Sequence, residues 1–138
     1  MTETAIYAIG RTMYRGGRSF RGLLVWRQAM TLAKQCYALT RSLPREERYG
    51  LTSQIRRAAI SIPANIAEGN GRETRGAYIS FLRIAQGSLR ELETYLLFLI
   101  EAELMRPAAV DPLLNQLDSV ARLLNRLIQS LQSDPLTA

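Results

Sequence analysis

Residues 77–102 read AYISFLRIAQGSLRELETYLLFLIEA, with no proline and no strand-like alternation over their whole length. Ala77, Phe81, Ile84, Ser88, Leu92, Tyr95, Leu99 and Ala102 recur every three or four positions, the spacing of one face of an α-helix. This predicts a long helix over 73–105, entered from the Gly69-Asn70-Gly71 turn. Upstream, Leu51, Ile55, Ala58, Ile62 and Ile66 mark a helix ending near Gly69. Before it, Val25, Ala29, Leu32, Cys36, Leu39 and Leu43 mark another that stops ahead of Pro44. Downstream, Leu113, Leu117, Val120, Leu124, Leu127 and Leu131 mark a last one. It is opened either by Pro107 or by an Asp111 N-cap followed by Pro112. Four amphipathic helices, short connections and no strand pattern predict an all-α fold, an antiparallel up-down four-helix bundle over 23–133. Residues 1–22, broken by Gly10, Gly16, Gly17 and Gly22, are expected to be a flexible basic extension, and 134–138 a short tail.

The third helix has apolar residues on a second side as well. Ile79, Leu82, Leu89, Leu97, Ile100 and Leu104 lie away from the first stripe, and Ile60 lies away from Leu51 on the second helix. Apolar surface of that extent predicts a homo-oligomer with these residues as interface candidates. The alternative is a central third helix wrapped by its neighbours.

Composition narrows the chemistry. The chain has 138 residues, 47% hydrophobic and 22% charged, the proportions of one ordinary globular domain. Cys36 is the single cysteine and there is no histidine, which excludes an intramolecular disulfide, thiolate metal clusters, HExxH sites and histidine-based nucleophilic triads. No metal or cofactor is expected. The net charge of +6 rests on seventeen arginines and Lys34. Residues 1–22 sum to +3, 23–100 to +5 and 101–138 to −2, so an anionic partner would meet the first three quarters. No apolar run approaches a membrane span and no signal sequence opens the chain, so the expected location is cytoplasmic.

Two constellations stand out. In the second helix Gln54, Arg57, Ser61, Asn65 and Glu68 form a polar stripe beside the apolar face, and Pro63 deprives the Ala59 carbonyl of its helical donor. The stripe reads either as a satisfied network that fixes helix register or as an anion or nucleotide site charged by Arg56 and Arg57. Farther on, Arg72, Arg75, Arg83 and Arg90 would join Arg56 or Arg57 in a ridge contacting phosphates. The opposing reading pairs them with Glu73, Glu91, Glu93 and Glu101 in a solvated mixed face. Tyr78, Phe81, Tyr95 and Phe98 fall mainly toward the core, a poor pattern for base stacking. Catalytic patterns are missing: Gly69-Asn70-Gly71 lacks the glycine and lysine of a phosphate loop, and Gly87-Ser88-Leu89 sits mid-helix without a preceding strand. No enzyme is expected.

Beyond periodicity, several stretches carry a resemblance: Leu24-Val-Trp-Arg-Gln-Ala, the run 43–69 (LPREERYGLTSQIRRAAISIPANIAEG), and 81–94 (FLRIAQGSLRELET). They resemble the bacterial four-helix bundle family encoded in intervening sequences of 23S ribosomal RNA genes, over about 20–131. The resemblance implies an antiparallel bundle, often a pentamer, without established enzymatic activity. Relatives include the accessory variability determinant of diversity-generating retroelements, a basic pentameric ring that binds nucleic acid and a reverse transcriptase. Arg56, Arg57, Ser61, Pro63, Asn65, Glu68 and Gly69 match the family signature, as do Gly87, Ser88, Glu91 and Glu93. Family members typically begin shortly before the segment matching 20–26, so Met13 is a candidate start. The expectation from residues and resemblance together is a non-catalytic homo-oligomer, a pentamer by preference, binding RNA or DNA through arginines. The alternative is an adaptor for a reverse transcriptase or mobile-element protein, docking on the apolar third-helix face.

Overall fold

A computed structural model describes residues 19–133. The expected flexibility of 1–18, the proposed start at Met13 and the tail 134–138 lie outside the described residues. Four helices follow in order: α1 (Leu24–Thr40), α2 (Leu51–Asn70), α3 (Arg75–Glu101) and α4 (Pro107–Gln132). Each packs on two neighbours, α1 on α2 and α4, α3 on α2 and α4, and the α2–α3 pair is the most extensive. This closed square is a four-helix bundle.

Local chemistry sets the ends. Ser19 Oγ accepts from Arg21 N at 3.0 Å and caps a 3-10 turn, Phe20–Gly22. Phe20 meets Trp26 edge-on at 5.2 Å, so ordered packing begins ahead of the expected boundary at residue 23. A second 3-10 turn, Arg45–Glu47, follows Pro44, and Glu47 Oε1 accepts from Leu51 N at the start of α2. Thr74 Oγ1 caps α3 by accepting from Ala77 N at 3.1 Å. Of the two openings left for α4, Pro107 at the first turn is the one used, and Pro112 sits within the helix. α3 ends at Glu101, short of the expected 105, because Glu103 turns into the left-handed region at φ 59°. There Leu104 N and Met105 N both donate to Leu99 O, at 2.9 and 3.1 Å.

The α4 stripe from Leu113 to Leu131 is buried throughout. In α1 and α2 the expected residues are buried except Leu39 and Leu51, which are partly covered. α3 differs. Its core face is Tyr78, Leu82, Ala85, Leu89, Leu92, Leu96 and Leu99, with Ser88 at its edge. Ile84 and Ala102, expected in the core, are exposed, whereas Leu82 and Leu89, expected at an interface, are wholly or almost wholly buried. The physical reason is that α3 packs on α2 and α4 at once, which centres its buried arc between the two apolar stripes and takes part of each. Ile79, Ile100 and Leu104 pack partly against the same core. Of the interface candidates only Ile60 and Leu97 stand exposed, each 45%.

Candidate nucleic-acid interface

Near the C-terminal end of α1, Arg56 of α2 reaches back to the last turn, its Nη2 donating to Tyr37 O at 3.4 Å. Thr40 Oγ1 donates to Cys36 O at 2.8 Å and accepts from Arg56 Nε at 2.9 Å. That contact lays the Arg56 guanidinium over the Tyr37 ring, 4.6 Å from its centroid. A cation beside a helix C-terminus is favoured by the partial negative charge there. Arg56 is thus fixed in place by two neutral partners, and its charge is not cancelled. Tyr37, Arg48, Tyr49, Arg56, Arg57 and Ile60 share one hollow of about 640 Å³ on the α1–α2 side. A neighbouring hollow of about 430 Å³ carries Lys34 and Arg41, with Met30, Tyr37 and Ile60. Among the described residues five cations line the two hollows and no carboxylate does.

The polar stripe of α2 faces α3. Ser61 Oγ and Ser88 Oγ share a hydrogen bond at 2.8 Å, and Asn65 Nδ2 donates to Ser61 O at 2.8 Å and to Ser61 Oγ at 3.0 Å. Gln54 Oε1 accepts from Arg57 Nη2, and Tyr95 Oη donates to Glu91 Oε2 at 2.8 Å. The Glu91 carboxylate, by accepting that bond, holds the Tyr95 phenol above its ordinary pKa. Gly69 marks a close approach: a Cβ there would lie 2.9 Å from Phe81 Cβ and 3.1 Å from Tyr78 O. Pro63 is buried within an unbroken α2. These signature residues knit α2 to α3, whereas a Cβ added at Gly87 would meet nothing within 4 Å.

The remaining arginines are scattered. Arg72 pairs with Glu68 at 2.7 Å and covers Phe81, its guanidinium 4.7 Å from the ring centroid. Arg75 is 8% exposed and so is not placed for an exposed phosphate contact. Arg83 and Arg90 line a hollow of about 390 Å³ between α3 and α4 with Gln86, Gly87 and Asn125. Arg83 donates to Gln86 at 3.1 Å and Arg90 pairs with Glu93 at 2.8 Å. In a square bundle this hollow is across the fold from the α1–α2 side, so the six arginines do not form one ridge. Sequence periodicity cannot foresee that, because it places residues on a helix without saying which neighbour that helix faces. Tyr37, Arg48, Tyr49, Lys34 and Arg41 join the site only in the folded chain. The sequence gives little signal for them: Arg45 to Tyr49 holds two arginines and a tyrosine, but Glu46 and Glu47 leave the run without net charge.

Among the described residues no helix is long and apolar enough to cross a membrane, and no group of three acidic or cysteine side chains gathers that could hold a metal ion. The sequence pattern of the 23S rRNA-intervening sequence protein family matches residues 21–126, and the chain belongs to that family. Among solved structures it is similar to a crystal structure of a protein with unknown function from the S23 ribosomal protein family of Bacteroides thetaiotaomicron VPI-5482. The two share 25% identity, with a TM-score of 0.69, over 77% of this chain and 99% of that one. No curated protein matches the chain in sequence.

Proposed function

We propose that this member of the 23S rRNA-intervening sequence protein family is a non-catalytic, homo-oligomeric bundle that binds nucleic acid, RNA in particular, on its α1–α2 side. The observation that carries the reading is the lining of that side: Lys34, Arg41, Arg48, Arg56 and Arg57 without a carboxylate among them. Such a surface neutralises phosphates and releases their counterions. The α3–α4 hollow is the weaker candidate, since Arg90 already has Glu93 as partner. Self-association is supported by Ile84, Leu97 and Phe98, large apolar side chains of α3 that are 51%, 45% and 51% exposed. A closed ring, five subunits by the resemblance, would repeat the basic side around its circumference and multiply a weak contact.

The experiment is light scattering of the purified protein with and without a short RNA, across a salt series. The expected result is one defined oligomer whose mass rises on RNA, with affinity falling steeply as salt increases. An oligomer indifferent to RNA at low salt would overturn the proposal. A second reading takes its support from the same exposed α3 residues: they would dock a protein such as a reverse transcriptase, and the free chain would then be monomeric or sticky.

A further inference from the structure

The α1–α2 side offers more than charge. Tyr49 is 87% exposed, with the Arg48 guanidinium 5.9 Å from its ring centroid. Tyr37, 37% exposed, lies beneath the Arg56 guanidinium, whose plane is held by Thr40. Both tyrosines line the same open hollow, floored in part by the exposed Ile60.

We infer that this hollow takes unpaired bases, so that the partner is a single-stranded nucleic acid and not a duplex; this deepens the nucleic-acid reading above and rests on it. Inside a duplex both faces of each base are covered by neighbouring bases, so apart from the two end faces only phosphates and base edges remain for a protein to touch. A tyrosine ring standing in water gains nothing from such edges. An unpaired base can lie on the Tyr49 ring, or on the Arg56 guanidinium already stacked on Tyr37, and remove apolar surface from water on both partners. Cations flank these platforms on either side, Arg48 and Arg57 in one hollow and Lys34 and Arg41 in the next, so that a strand laid across Tyr37 meets charge before and after it. Stacking of this kind tolerates any base, which predicts weak sequence preference.

The test is fluorescence anisotropy of the full chain with an unstructured labelled RNA strand and with a blunt duplex of equal length, at one low salt concentration. The variants are Tyr49→Leu and Tyr49→Phe; with so exposed a ring, neither is expected to disturb the fold. The inference expects tighter binding of the single strand, a loss of about five-fold or more in Tyr49→Leu, retention in Tyr49→Phe, and no change for the duplex. Equal affinity for both forms with an indifferent Tyr49→Leu would overturn it while leaving nucleic-acid binding intact. Absence of binding by either form would overturn the nucleic-acid reading itself. Binding of an acidic amphipathic peptide where neither form binds would do the same and assign the surface to a protein partner.

Discussion

Two glycines of the same signature do opposite things, and the difference lies in what a methyl group would meet. At Gly69 it would press on Phe81 Cβ and the Tyr78 backbone, neither of which can move aside without shifting α3. Gly69→Ala is therefore expected to destabilise the fold by about 1–3 kcal/mol. At Gly87 a methyl would meet nothing within 4 Å, and Gly87→Ala is expected to stabilise by about 0.5–1 kcal/mol through helix propensity alone. Denaturant unfolding of the two variants reads both signs at once. Cys36 is completely buried, and burial pushes its thiol from 9.0 up to about 12. Its proton stays on in the folded chain while the unfolded chain loses it, so this group's contribution is intact below pH 9 and is lost as pH rises toward 12. A thiol-reactive dye is expected to label the folded protein slowly at pH 8 and rapidly once denaturant opens it.

At the scale of elements, α3 separates what the sequence makes legible from what it does not. The stripes of α1, α2 and α4 are readable because each helix has one dominant apolar face, which is the buried one, even though Ile60 stands off it on α2. α3 is apolar around most of its circumference, and its orientation is settled only by which helices flank it. Hence periodicity assigns Leu82 and Leu89 to an interface and Ile84 to the core, the reverse of their positions. The polar stripe from Gln54 to Glu68 is legible as a stripe, but its partners Ser88, bonded to Ser61, and Tyr95, whose Oη lies 3.4 Å from Gln54 Oε1, belong to another helix and no spacing rule connects them. Removal of one partner tests that connection: Ser88→Ala is expected to cost about 1 kcal/mol by leaving Ser61 with one contact fewer in a half-buried place. The end of α3 is hidden for a different reason, since a glutamate gives no sign of adopting positive φ. Glu103→Gly is expected to stabilise by about 1 kcal/mol by relieving that conformation, measured as a shift in denaturation midpoint.

The bundle as a whole carries its positive charge unevenly. Spacing places arginines along α2 and α3 but not around the closed square, so the six expected in one ridge are divided between the α1–α2 side, the α2–α3 turn, the interior and the α3–α4 side. Tyr37 and Tyr49 are not legible as a pair because one sits beside a helix stripe and the other in a connection, and only folding brings them together beside Arg56. Binding of nucleic acid on the α1–α2 side is the claim on which the function rests. The most direct measurement compares RNA affinity of the unaltered chain with two charge-reversed pairs, Arg48→Glu with Arg57→Glu, and Arg83→Glu with Arg90→Glu, helicity being checked by circular dichroism. An interface on the α1–α2 side predicts that the first pair abolishes binding while the second retains most of it. Loss confined to the Arg83 and Arg90 pair would contradict it and move the interface to the α3–α4 hollow.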